Sequence, residues 1–180
     1  MKINAEKDVI EELAKEMLVA ARTAPKSKGL DTIITVFVEK KDYKKILEEM
    51  KKLFRETKMP LFERDAQNLK DSDACILIGV KNNALGLNCG ACGYDCAGLE
   101  KARRGNTHYN GPNCAFKMMD LGIALGAAAA KAKDLCLDNR IMYSLGLAAK
   151  RAKLVNADIL VAIPLSVKGK NIYFDRKWKR

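Results

Sequence analysis

The sequence predicts an α+β fold, in the form of a three-layer α/β arrangement whose helices flank one sheet. Two observations carry this prediction. Apolar, β-branched segments alternate with amphipathic helical segments along the 180 residues. One late helix is also rich in Ala and Gly and apolar on most sides, which is typical of a central helix. The length allows a single domain over residues 1–180 that carries one small inserted module.

The first half of the chain supplies two helices and two strands. Residues 5–21 repeat apolar side chains at three- and four-residue steps, which predicts a helix that ends before Pro25. Residues 32–38 and 74–80 are almost continuously apolar, so both are predicted as buried strands. Residues 41–58, between these strands, have the period of an amphipathic helix.

The second half begins with a segment that has no period. Residues 81–113 are rich in Gly, Asn and Cys, and a loop of this length inside a compact domain is usually functional. The Ala/Gly-rich central helix then covers 115–133, and another helix covers 140–153. Residues 158–165 form a predicted strand, and 171–174 a short fourth one.

Charge and composition exclude several classes of protein. The net charge of +11 suits an acidic partner, but Lys and Glu alternate along helical faces, which is typical of solvated surfaces. A nucleic-acid role is therefore not favoured. No apolar run spans a bilayer and residues 1–15 lack a signal-peptide core, so the expected location is cytoplasmic. A single His argues against Ser–His or Cys–His catalysis.

The chemistry-bearing pattern is a set of four cysteines spaced Cys-x2-Cys-x3-Cys-x17-Cys. Three thiols within eight residues, interleaved with glycines, can wrap around one inorganic centre. The fourth thiol comes at the predicted start of the central helix, where the helix dipole stabilises a thiolate. The predicted metal ligands are Cys89, Cys92, Cys96 and Cys114.

Three kinds of site are compatible with this pattern. Disulfides are disfavoured in a chain of this size without a signal peptide. A structural zinc site stays open, although the usual second Cys-x2-Cys knuckle is missing because Cys114 stands alone. A [4Fe–4S] cluster fits best, since a cysteine triplet with a remote fourth cysteine is its usual signature. Cys75 is expected in the core. Cys136 is expected in the core, with a spare ligand as the alternative, and His108 is expected to be exposed and incidental, with replacement of one ligand as the alternative.

The cysteine segment resembles the [4Fe–4S] modules of the Rnf-complex ferredoxin subunit and of the corrinoid iron–sulfur protein, which usually have one more residue between the second and third Cys. The whole chain resembles an uncharacterised prokaryotic family of ferredoxin-domain-containing proteins. That resemblance implies an iron–sulfur module, here residues 84–115, inserted in a larger domain.

The segments that flank the module resemble the nitroreductase fold. They are residues 20–27, before the first strand; 120–124, in the central helix; and 153–165, from the last helix into the last strand. This resemblance implies a nitroreductase-like sheet, a homodimer built around the central helices and an FMN near the dimer interface. The candidates for binding the FMN phosphate are Lys26, Ser27, Lys28, Arg176 and Lys177. The alternative is that they are ordinary surface residues.

The function predicted from the sequence is electron transfer by one [4Fe–4S] cluster, with FMN as a further acceptor if the chain is an oxidoreductase. Its partner would be a redox protein or a small-molecule acceptor. The alternative is a non-enzymatic protein that binds structural zinc and uses a basic surface for nucleic acid or protein.

Overall fold

Four strands pair antiparallel in one sheet of order β1–β2–β4–β3. The computed structural model describes residues 1–102, 105 and 107–174. The strands are β1 (Ile33–Phe37), β2 (Ala74–Val80), β3 (Asp138–Asn139) and β4 (Ile159–Ser166).

Helices cover both faces of this sheet, as the three-layer prediction requires. A 3-10 turn, Ala5–Val9, leads into the first helix. The helices are α1 (Ile10–Thr23), α2 (Lys40–Thr57), α3 (Leu61–Asp71), α4 (Cys96–Ala102), α5 (Ala115–Asp134) and α6 (Tyr143–Arg151). Helices α1 and α5 pack on one face of the sheet, and α2, α3 and α6 pack on the other.

Strand β2 explains why the central part of the sheet has a continuous apolar sequence. All of its residues are buried. Ile76 and Ile78 contact the core shared with α1 and α5, whereas Cys75 and Leu77 contact the core shared with α2, α3 and α6. A strand buried on both faces has no solvent side for polar residues, so the prediction for residues 74–80 is confirmed.

Other predictions needed correction. Strand β1 is mostly half-buried rather than buried because it lies at the edge of the sheet. The helix α3 was not predicted, and residues 171–174 form a turn instead of a strand. The short strand that completes the sheet is instead β3, a two-residue segment paired with β4. Within the described residues, no helix is long and apolar enough to cross a membrane.

Helix α6 approaches β4 very closely at Gly146. A β-carbon added to Gly146 would lie 2.1 Å from the carbonyl oxygen of Leu160. That oxygen belongs to the backbone of β4, so it cannot swing away as a side chain could. The glycine is therefore required by packing.

Candidate metal centre

The four cysteines of the predicted site lie on the connection from β2 to α5 and at its end. Cys89 is exposed, Cys92 and Cys96 are half-buried, and Cys114 is only 6% exposed. All four are free thiols. Exposure therefore decreases from Cys89 at the start of the set to Cys114, which precedes α5.

Asn88 holds the backbone around Cys96. Asn88 has a left-handed φ of 49°, a conformation that asparagine adopts more readily than most residues. Its backbone N–H points to the Cys96 sulfur at 3.3 Å, and the Cys96 N–H donates to Asn88 Oδ1 at 3.0 Å. Hydrogen bonds to ligand sulfurs stabilise thiolates and help to set cluster potentials.

Two glycines close a tight turn around Cys92. Gly90 and Gly93 have φ values of 70° and 84°, and the Gly93 N–H donates to the Gly90 carbonyl at 2.8 Å. Glycine takes these left-handed angles without steric cost. The interleaved glycines are therefore a requirement of this turn, as the sequence suggested.

Helix α4 starts at the third cysteine. Asp95 Oδ1 accepts the Gly98 N–H at 2.5 Å, which is the hydrogen bond of a helix N-cap residue. At the other end of α4, the Glu100 carboxylate accepts the Ala84 N–H at 2.5 Å. The first bond stabilises the start of α4, and the second ties this short helix to the beginning of the connection.

Asn82 anchors the fourth cysteine. Its side chain is fully buried, and its Oδ1 accepts the Cys114 N–H at 3.1 Å. Its Nδ2 donates to Asn113 Oδ1, and its backbone N–H donates to Asp158 at 2.8 Å. Asn82 thus joins the end of β2 to the residues that begin α5.

Cys92 and Cys114 reach the same small apolar cluster. Cys114, Leu85 and Leu99 form its buried part, and Cys92 packs against them. The second and fourth predicted ligands therefore pack in the same apolar cluster.

The complete predicted ligand set is not gathered around a point. Over residues 1–102, 105 and 107–174, no three His, Cys, Asp or Glu side chains converge closely enough to hold one metal ion. Convergence of all four sulfurs stays a prediction. In chemical terms the set fits an iron–sulfur cluster, because four soft thiolates bind the separate irons of a [4Fe–4S] core and need not meet at one ion.

The N-terminus of α5 and a lysine amine lie beside parts of the cysteine segment. Cys114 is the N-cap residue of α5, and the positive end of a helix dipole stabilises an adjacent anion. Lys117 is buried in the first turn of α5. The Lys28 amine lies 4.0 Å from the position that a β-carbon on Gly86 would take, close to the start of the cysteine segment.

The residues predicted to bind an FMN phosphate have other partners. The Lys26 amine donates to the Ala24 carbonyl at 2.7 Å. The backbone N–H and hydroxyl of Ser27 both donate to Asp120 Oδ1, at 2.9 and 2.8 Å. Lys28 is exposed. The other two candidates, Arg176 and Lys177, lie outside the described residues.

Asp120 forms a buried charged pair with Lys117 that the sequence analysis missed. Both side chains are 2% exposed, and the Lys117 amine lies 4.0 Å from Asp120 Oδ2. In the described residues, Asp120 Oδ2 has no hydrogen-bond partner. A Lys and an Asp three residues apart in the otherwise apolar first half of this helix were the available sequence signal.

The remaining Cys and His residues divide between core and surface. Cys75 is fully buried as predicted, and burial raises the pKa of its thiol to about 12. Cys136 is exposed, so the prediction of a core position was wrong. It lies just after α5 with a left-handed φ of 56°. His108 is half-buried and hydrogen-bonds Tyr143 through Nδ1, so it is not a free surface residue.

The fold is similar to that of nitroreductase-like flavoproteins. It is similar to a nitroreductase with bound FMN from Desulfitobacterium hafniense, at a TM-score of 0.59 and 13% identity, over 94% of this chain and 80% of that one. It is also similar to a BluB-like flavoprotein from Clostridium difficile, at a TM-score of 0.55 and 15% identity, over 100% of this chain and 87% of that one. Identities this low establish the fold alone.

The sequence comparisons give the family. Residues 110–176 match the model described as "Uncharacterized protein containing a ferredoxin domain (DUF2148)". An uncharacterized protein from Archaeoglobus fulgidus is 46% identical over 166 residues, which cover 91% of this chain and 90% of that protein. The chain belongs to this ferredoxin-domain family and has a nitroreductase-like fold.

Proposed function

We propose that the protein is a redox protein that carries one [4Fe–4S] cluster on Cys89, Cys92, Cys96 and Cys114 and passes single electrons. The observation that carries the proposal is the reciprocal pair of hydrogen bonds between Asn88 and Cys96, which aims a backbone N–H at a ligand sulfur. The family description and the fold of redox flavoproteins support the same assignment. Residues 84–115 are then the inserted module within the domain 1–180.

The cluster would supply one-electron chemistry, and the protein's own residues would set its environment. Four thiolates on a core of charge about +2 leave a net charge of about −2. The start of α5 and the Asn88 N–H both favour negative charge near the ligands. Such groups stabilise the more negative, reduced state and raise the reduction potential.

Metal and sulfide analysis of anaerobically purified protein tests the proposal. We expect about four irons and about four sulfides per chain. Cys114→Ser should lower this content strongly, and Cys136→Ser should leave it unchanged because Cys136 is exposed and lies after α5. Stoichiometric zinc without iron would refute the cluster and favour the structural zinc protein.

FMN has less support from the residues of this chain. As placed, Lys26 and Ser27 do not fit a phosphate, because the Lys26 amine binds a backbone carbonyl and both donors of Ser27 bind the buried Asp120 carboxylate. We therefore derive no step through a flavin. To test FMN binding, the protein is incubated with FMN and then denatured, and the released flavin is measured. Absence of released flavin would reject FMN binding.

A second copy of the chain is the proposed partner of α5. Met119 and Ile123 are exposed on this helix, and added β-carbons on Gly122 and Gly126 would meet no atom within 4 Å. An apolar helix face with small residues suits close helix packing. Light scattering should show a dimer that Ile123→Lys dissociates, whereas Val9→Lys, at another exposed apolar position, should not. A monomeric wild type would contradict this proposal.

A further inference from the structure

A groove on the opposite side of the sheet from α5 has no role in the proposed redox function. It lies between α2 and α3 and encloses about 630 Å³, which is within the usual range for small-molecule sites. Its floor is apolar and consists of Leu47, Met50, Phe54, Phe62 and Ala66. Part of this floor is open to solvent, since Leu47, Phe54 and Ala66 are only half-buried.

The rim of the groove carries an excess of positive charge. Its cations are Lys51, Lys52, Arg55 and Lys70, and its anions are Glu48 and Glu63. An apolar floor beside a cationic rim is complementary to a ligand that has an apolar body and an anionic end.

The cations of the groove differ in whether they are paired with an acid. On the same helix, Lys45 pairs with Asp42 at 2.8 Å and Lys52 pairs with Glu49 at 2.5 Å. In contrast, Lys51, Arg55 and Lys70 form no ion pair or hydrogen bond within the described part of the chain. Three groove cations are thus available to a ligand.

We propose that this groove binds an amphipathic carboxylate, with its aliphatic or aromatic body on the floor and its carboxylate among Lys51, Arg55 and Lys70. A neutral apolar molecule would leave these cations unused. A nucleic acid would leave the apolar floor unused, because its outer surface is charged phosphate. Charge-assisted hydrogen bonds from lysine and arginine to a carboxylate supply orientation.

Decanoate is a suitable probe, and 1-decanol is its neutral counterpart. Titration of the whole, isotope-labelled chain, followed by amide NMR, should shift signals of α2 and α3 that line the groove. Decanoate should bind at least about tenfold more tightly than decanol, and added salt should reduce this difference because the cations are exposed.

Two sets of variants separate the rim from the floor. Lys51→Gln/Arg55→Gln should weaken decanoate binding by about tenfold or more and leave decanol binding unchanged. The matched control is Lys41→Gln/Lys45→Gln, which removes the same charge from the same helix at cations that pair with acids outside the groove. Ala66→Leu should weaken both ligands, because it fills the floor.

Some results would overturn the proposal. Equal affinities for decanoate and decanol would show a merely apolar surface, as would a rim variant that binds decanoate like the wild type. No groove shifts at millimolar decanoate would exclude the ligand class. An acidic amphipathic helical peptide that shifts the groove signals when decanoate does not would assign the groove to a protein partner instead.

Discussion

Replacement of Asn82 by alanine tests how the fold holds the fourth cysteine. Asn82 is fully buried, and its side chain binds both the Cys114 N–H and Asn113. Asn82→Ala leaves the buried Cys114 N–H without its acceptor, which costs about 1–3 kcal/mol. The lost bond to Asn113 adds about 1 kcal/mol. The free energy of unfolding should therefore fall by about 2–4 kcal/mol, and Tm by roughly 4–16 °C for a chain of this size.

The assay is urea and thermal unfolding of the metal-free protein, followed by circular dichroism. Asn83→Ala is the matched control because Asn83 is the next residue and is exposed. It should change the free energy of unfolding by less than about 0.5 kcal/mol. A loss below about 0.5 kcal/mol in Asn82→Ala as well would show that Asn82 does not anchor the start of α5. Iron uptake by the same variant should also be lower than that of the control.

Three further predictions concern the framework. Gly146→Ala should lower the free energy of unfolding by at least about 2 kcal/mol, because its β-carbon meets strand backbone; an unchanged denaturation midpoint would contradict this. Iodoacetamide at pH 8 should alkylate Cys136 and spare Cys75, whose pKa is raised to about 12 by burial, as mass spectrometry of tryptic peptides would show. Lys117→Met should cost about 3–5 kcal/mol in unfolding experiments because it strands a buried carboxylate, and Lys117→Met/Asp120→Asn should recover part of that loss.

Sequence patterns predicted the elements that are long and have a regular pattern of buried residues. Strand β2 is buried on both faces, and α2 and α5 begin and end within about one residue of their predicted bounds. Helix α3 was missed because its charged and polar residues obscure a short apolar face. Strand β3 has only two residues and depends on pairing with β4, so no local pattern could reveal it.

The site was predictable in its residue types but not in its supports. Spacing and glycine content identified the cysteine segment, and the start of α5 directly after Cys114 is confirmed. The roles of Asn82 and Asn88 depend on contacts with Cys114 and Cys96, which are 32 and 8 positions away. The error at Cys136 arose because a small apolar residue beside a central helix was assumed to face inward, whereas the chain turns outward there.

The bond between Asn82 and Asn113 also has a consequence for how this family can vary. It joins the two ends of the long connection from β2 to α5, so the end of β2 is held next to the start of α5. The entropic cost of closing a loop grows only slowly with its length, so a longer connection between these fixed ends adds little cost. We therefore expect that the segment between Asn82 and Asn113 can be replaced by one of another length or metal preference without a change in the strand register of the sheet.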